Sequence, residues 1–278
     1  MTLSNRDEYM KIFDVHTHVF PDKIAAQALA HLRQKSCGIP VFTDGTATGL
    51  AAKAHEAGYT AWMNCPVVTR PDQVRSVNDR VAKQNELPML SMGGIHPAVA
   101  DLRGEVTRIH ELGLRGVKFH PEYQEFYLLD TRMDPIWQRC EELSLPVLIH
   151  AGQDIGFEPP FHSSPQDFAE LSRRHPGLTI IAAHLGGWRC WNDVERHLVG
   201  SAVIMDTAFS RPFMRDPEQL GRIIRAHGAD KILFGTDSPW QDLREAVADI
   251  KSLALPAADM ERIFWGNAAR LWPVLQSA

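Results

Sequence analysis

Eight short, nearly continuous apolar runs recur along the chain, each followed by an amphipathic stretch. This rhythm restricts the fold more than any other feature. The runs are Lys11–Val15, Thr60–Asn64, Met89–Gly93, Gly116–His120, Pro146–His150, Thr179–His184, Ala202–Asp206 and Lys231–Gly235. They do not alternate apolar with polar, as expected of parallel strands buried on both faces. Between them, 3.6-residue periodicity predicts helices over Asp22–Gln34, Gln73–Gln84, Leu102–Leu112, Asp134–Leu143, Pro165–Arg174, Glu218–Ala226 and Asp242–Leu253. Pro165 near a first turn and Gly113 just past a helix end punctuate them. Eight strand–helix repeats with no long linker predict an α/β fold, a (β/α)8 TIM barrel in one domain over residues 1–278. An open doubly wound sheet is the rival, but no GxGxxG turn follows the first run. The Gly-, Thr- and Pro-containing stretch Lys35–Leu50 predicts a loop over the barrel mouth.

Composition excludes several functions. With 278 residues, 44% of them apolar, the chain can bury a large core. A net charge of −5 without a dense Lys/Arg run argues against nucleic acid or a membrane surface as partner. The polar start MTLSNRDEYMKIFDV lacks the apolar segment of a secretory leader, and no stretch has the length of a membrane span. Cys37, Cys65, Cys140 and Cys190 form no CxxC pair and read as reduced core thiols. The expectation is a cytoplasmic protein acting on a small molecule, with self-association left open.

Polar residues fall where a barrel does its chemistry, at the C-terminal ends of the strands. The first run leads into Asp14-Val15-His16-Thr17-His18. Residues two apart on a strand share a face, so His16 and His18 can bind one cation, at about 2.0–2.1 Å for zinc. A pair of surface or hydrogen-bonded histidines is the plain alternative. His150 and His184 end the fifth and sixth runs, each followed closely by Gly, and Asp237 follows the eighth. A carboxylate after such a run is costly unless a cation or donors meet it, although Asp237 could instead cap a helix. Lys118 and His120 share a face of the fourth run, and an inward lysine needs a negative partner. Lys118 is open to three readings: a contact to substrate carboxylate, a carboxylated metal bridge, or a paired structural lysine. His96 closes the third run in the same manner as a weaker candidate.

The order His16, His18, His150, His184, Asp237 resembles the amidohydrolase superfamily of metal-dependent, distorted (β/α)8 barrels. The resemblance runs from about residue 11 to 273. It rests most specifically on IAAHLGG, FGTDSPW and the closing WGNAARL (Trp265–Leu271). The branch so marked contains hydrolases and metal-dependent decarboxylases. GIHP and GTDSPW also echo the TatD-like nucleases, but those place a Glu where this chain has Lys118. Aromatic-acid decarboxylases of the branch often replace the first His of HxH by Glu, whereas His16 is present here. The picolinate-pathway decarboxylase keeps HxH.

The resemblance implies His16, His18, His150 and Asp237 as ligands of a divalent metal, zinc in the first instance, with one or two ions. Catalytic roles fall to Asp237, His184 and Lys118. Asp237 accepts a proton from metal-activated water, whose pKa is lowered toward about 7, and His184 polarises the carbonyl. His120, His96, Arg189 and Arg211 are candidate substrate contacts, arginine suiting a carboxylate through its planar fork. The leading expectation is hydrolysis of a small carboxylated lactone, ester or amide. The alternative is non-oxidative decarboxylation of an unsaturated or aromatic acid on the same metal. A TatD-like nuclease and a non-catalytic, metal-stabilised binding barrel rank below both.

Overall fold

The computed structural model describes residues 10–278. Residues 1–9, which carry most of the polar start behind the expected location, lie outside them. Nine parallel strand segments form: β1 Phe13–Thr17, β2 Ala61–Asn64, β3 Met89–Ser91, β4 Gly93–Gly94, β5 Val117–Phe119, β6 Val147–Ile149, β7 Ile180–Ala182, β8 Ile204–Asp206 and β9 Ile232–Leu233. They make a three-stranded sheet, β1-β2-β3, and a six-stranded sheet, β4 to β9 in order. The eight expected runs are all present. The third is split at Met92, so that β3 pairs with β2 and β4 with β5. Gly93 and Gly94 let helices and loops approach closely there, since a Cβ on Gly93 would stand 2.7 Å from the Ile109 side chain. At the other seam, Val15 N–H donates to Phe234 O (3.0 Å), Asp237 N–H to His16 O (2.8 Å) and His18 N–H to Ser238 O (2.7 Å). A single parallel bridge joins Thr17 to Ser238. The fold is the (β/α)8 type.

Side-chain parity divides the core in two. Val117, Phe119, Val147, Ile149, Ile180 and Ala182 pack outward with helix residues such as Trp137 and Phe168. Leu148, Ile181 and Leu233 point the other way, into a second cluster with Phe13, Val15, Met63 and Leu90. The C-terminal helical segments close this inner cluster from one end through Trp265, Trp272 and Leu275. Phe13 meets Trp272 at 5.8 Å and Trp265 edge-on at 6.5 Å. This is the barrel floor, at the N-terminal ends of the strands.

Helix positions match expectation within one or two residues, the usual scatter of helix ends. α1 spans Asp22–Lys35 and α3 spans Val74–Ala82. The stretch Lys35–Leu50 is a loop only in its middle, at 36–46. Lys35 closes α1, and Ala47 opens α2, Ala47–Glu56, where the Thr46 hydroxyl accepts from Gly49 N–H at 2.9 Å. That cap is hidden in sequence among Gly, Thr and Pro. Among the described residues no helix is long and apolar enough to cross a membrane.

Candidate active site

The ends of β1, β5, β6, β7, β8 and β9 bring their polar residues into one buried cluster. Strict two-residue alternation cannot put both Val15 and His16 inside. The pairing of β1 with β2 is irregular between Asp14 and Thr17, and such a bulge re-aims the side chains beyond it. His16 and His18 then face the same point, with ring centroids 5.1 Å apart. A second device acts after β7 and β9. His184 (φ 57°), Leu185 (φ 53°) and Asp237 (φ 60°) adopt left-handed backbone, which turns both polar side chains toward the cluster. Non-glycine residues hold that conformation at a cost, and it concentrates at functional sites. Asp237 caps no helix here; the following helix, Leu243–Lys251, is capped by Asp242.

Proton bookkeeping shows what the cluster is built to hold. His16 Nδ1 lies 2.9 Å from Asp206 Oδ2, and His18 Nδ1 lies 2.7 Å from Cys65 O. His150 Nε2 faces Gln153 O at 3.0 Å, and His184 Nδ1 faces Ala208 O at 3.0 Å. Each of these partners only accepts, so each of these ring nitrogens carries the proton and donates. In a neutral ring the other nitrogen is then a lone pair. Those lone pairs converge: His18 Nε2 is 3.0 Å and His16 Nε2 3.4 Å from Asp237 Oδ1, while His184 Nε2 is 3.0 Å from His150 Nδ1. Acceptors facing acceptors repel unless a cation sits among them. The Lys118 ammonium donates to His16 Nε2 at 2.7 Å, supplying one such charge. Three nitrogen- and carboxylate-bearing groups have donor atoms close enough for one ion: His16/His18/Asp237, His16/His184/Asp206 and His120/His150/Asp154. The donor set fits a divalent metal of the zinc or manganese type.

Electrostatics favours neutral rings. Burial pushes His150 down to about 3, reinforced by His120, and His184 down to about 4, reinforced by His150. His16 is lowered far below its ordinary value by burial and then by Lys118. Burial also lowers the amine of Lys118, against the pull of nearby Asp237 and Asp206. For Asp237 burial works upward, but His16 and His18 outweigh it and hold the carboxyl below the usual range.

The cluster forms one end of a cavity of about 860 Å³. Its walls carry Phe20, Tyr123, Trp188, Phe209 and Trp240; Lys35 borders it from the last turn of α1, and Ser36 and Ile39 from the loop that follows. Gly152 lets the wall close, because a Cβ there would stand 2.4 Å from Trp188 N.

The sequence candidates distribute unequally. His16, His18, Lys118, His120, His150, His184 and Asp237 all line this cavity. His120 is bonded through Nε2 to Asp154 Oδ2 (3.1 Å), and its ring stacks on His150 at 4.1 Å. Its Nδ1 is buried with no partner among the described residues. Three candidates lie elsewhere. Arg189 lies over the Trp188 ring (4.3 Å) and borders a separate polar cleft with Phe213. Arg211 lines neither the cavity nor that cleft, and its charge acts on Asp249. His96 is half-buried outside the cavity, its Nδ1 accepting from Ala98 N–H at 3.2 Å.

Four residues escaped the sequence reading. Asp206 is fully buried and accepts from His16 Nδ1–H, His184 N–H and Ala208 N–H. Its signal was present, a carboxylate ending the run Ala202–Asp206. Asp154, Arg80 and Lys35 left no local signal, being charged residues on loops or helices.

Known proteins bear on this geometry. The amidohydrolase family model matches residues 13–274. γ-Resorcylate decarboxylase of Polaromonas sp. (strain JS666) is 24% identical over 176 residues, 50% of this chain and 53% of that relative, so the match spans about half its length. A 5-carboxyvanillate decarboxylase of Novosphingobium aromaticivorans, solved with manganese and 4-hydroxy-3-methoxy-5-nitrobenzoic acid, superposes with a TM-score of 0.72 at 14% identity, covering 97% of this chain and 98% of that one. A Pseudomonas putida protein provisionally named 2-pyrone-4,6-dicarboxylic acid hydrolase gives a TM-score of 0.66 at 17% identity, covering 96% and 98%. At these identities the superpositions establish the fold. A family match over nearly the whole chain, together with buried histidines and carboxylates at the strand ends, places this chain in the amidohydrolase family of barrel enzymes.

Proposed function

We propose that this enzyme removes CO₂ from a hydroxylated aromatic or unsaturated carboxylic acid, using a divalent metal held by His16, His18, His150 and Asp237. This revises the leading expectation of hydrolysis, because the relatives named for a reaction are mostly decarboxylases. The observation that carries the reading is the placement of inward lone pairs at one end of an aromatic-walled cavity. Zinc stays the first candidate metal; manganese in a structural neighbour makes it a direct competitor.

A divalent cation bound there would supply charge to anchor the carboxylate and keep an adjacent oxygen anionic. The residues of the chain do the rest. Tyr123, Trp188, Phe209 and Trp240 offer flat apolar surface for a ring and exclude water. His184 keeps its Nδ1 proton on Ala208 O, so Nε2 is the atom that exchanges protons. Burial lowers that ring to about 4, so a proton placed on Nε2 is readily surrendered. It goes to the carbon bearing the carboxylate. The bond to that carboxylate then breaks, its electron pair stays with the carbon, and CO₂ leaves. Asp206 holds the His16 ring through Nδ1, and Lys118 sits against Nε2, the atom a bound metal would take over.

Protein loaded separately with Zn²⁺ and Mn²⁺ is incubated with hydroxybenzoates, unsaturated carboxylic acids and lactones. CO₂ release and acid release are followed in parallel. Release of CO₂ with one solvent deuteron incorporated at the vacated carbon is expected. Acid release from lactones without CO₂ from any acid would overturn the reading in favour of hydrolysis.

A further inference from the structure

The metal-capable cluster accounts for one end of the cavity. The opposite charge balance of the remaining wall is unexplained by it. α3, Val74–Ala82, and the residue preceding it turn Gln73, Ser76, Val77 and Arg80 toward the cavity. These positions follow the i, i+3, i+4, i+7 spacing of one helical face, so the wall is a designed face of the helix rather than one stray side chain. The adjoining face, Val74, Asn78 and Val81, is buried in the fold.

Arg80 is half-buried, and among the described residues its guanidinium makes no ion pair or hydrogen bond. Its neighbours behave otherwise. Arg75 pairs with Glu105 at 2.7 Å, Arg108 with Asp79, and Arg103 with Glu142 at 2.8 Å. Among the described residues, the only carboxylates lining the cavity are already engaged, Asp237 by His16 and His18 and Asp154 by His120. Burial weakens the charged form of Arg80 with no compensating partner. Lys35 adds a second cation to the same cavity, held over the rings of Tyr123 (5.7 Å) and Phe157 (5.8 Å) and paired with no carboxylate among the described residues.

We infer that Arg80 and the α3 face form an anion subsite, taking a second carboxylate of the substrate, remote from the group held at the metal end. Arg80 supplies the bidentate fork, the Gln73 amide supplies an uncharged donor beside it, and Lys35 adds attraction from the end of α1. The substrate class is then an aromatic or unsaturated dicarboxylate, not a monocarboxylate. This inference rests on the proposed anchoring of the first carboxylate at the metal end.

The test uses calorimetric binding of benzoate and of the three benzenedicarboxylates to metal-loaded wild type, Arg80→Gln and Arg80→Lys. One dicarboxylate isomer should bind wild type at least about tenfold more tightly than benzoate, a preference weakened by salt. Arg80→Gln should bring the dicarboxylate-to-benzoate affinity ratio to within about threefold of unity, and Arg80→Lys should restore part of it. Melting temperatures of both variants establish that they are folded, and Arg80→Met serves if Gln does not fold. A dicarboxylate preference that survives Arg80→Gln, or none in wild type that still binds benzoate, overturns the subsite alone. Failure of every acid to bind metal-loaded wild type overturns the carboxylate-at-metal reading and the subsite with it.

Discussion

The floor and the mouth of this barrel are built from the same strands and obey opposite rules. At the floor, Phe13, Leu148, Ile181 and Leu233 meet Trp265, Trp272 and Leu275 in a dry apolar plug. Two to four residues further along, the same strands lead to His16, His150, His184 and Asp237, all buried. Histidine shows the contrast best. His227, beside the start of β8, is satisfied on both sides: Nε2 faces Val203 O at 2.8 Å, and Nδ1 accepts from Gly200 N–H at 3.1 Å. At the mouth His18, His150 and His184 are satisfied on their outer nitrogens, while their inner nitrogens face one another or Asp237, and the inner nitrogen of His16 meets only the Lys118 amine and Asp237. Buried polar groups are normally paired. Where they are left converging, folding stability has been given up for binding.

The division can be broken by mutation. The largest effect is expected for Asp237→Ala, which removes the carboxylate facing both His16 and His18. Metal content measured by elemental analysis should fall and turnover should drop to background. Full metal content with retained turnover would place the metal elsewhere.

His184→Asn comes next. Metal content and melting temperature should hold while turnover falls by about 10²–10⁴-fold, the usual contribution of a general acid or base. If the variant instead loses a metal equivalent, His184 is a ligand. If only the melting temperature falls, it belongs with His227 as a structural ring.

The mirror-image test is Phe13→Ala at the floor. Removing a fully buried phenylalanine should cost about 3–5 kcal/mol of stability by chemical denaturation. Metal bound per folded chain and KM should stay near wild type. A floor variant that keeps its stability and loses metal would erase the distinction between the two ends.

Asp206→Asn sharpens the comparison from inside the mouth. Asp206 does not line the cavity but fixes His16 Nδ1, so it acts by positioning. Metal affinity should fall by about 10–100-fold, as for other groups that orient a ligating histidine. Unchanged affinity would show that Lys118 alone suffices to hold the His16 ring.

The smallest effect is a pH dependence at the floor. Burial lowers His227 from 6.5 to about 4. The unfolded chain therefore takes up this proton first as pH falls. The stability contributed by neutral His227 is complete above about 6.5 and lost as pH drops toward 4. His227→Gln should flatten this part of the melting-temperature profile. A profile as steep as wild type would assign the loss to the mouth histidines.

Much of this was legible in one dimension. Strand positions, helix positions and the polar residues closing the runs follow from local pattern, because burial of a strand on both faces leaves a continuous apolar signature. For the same reason His16, His18, Lys118, His150, His184 and Asp237 could be nominated together: each lies at the end of such a run, and the fold puts run ends at one mouth. The choice among arginines was not legible. Arg80, Arg189 and Arg211 look alike as charged residues in polar stretches, and only the packed helices decide that Arg80 faces the cavity while Arg189 faces another cleft. Nor could sequence show the irregular register at Asp14–Thr17 or the left-handed turns at His184 and Asp237 that aim the site. Which atoms of those residues meet was decided by the tertiary structure alone. The protons on four rings are set by Asp206, Cys65 O, Gln153 O and Ala208 O, partners brought from up to 190 positions away in the chain. A sequence specifies which side chains can bind a cation; only the folded backbone, by placing acceptors behind them, directs their lone pairs to one place.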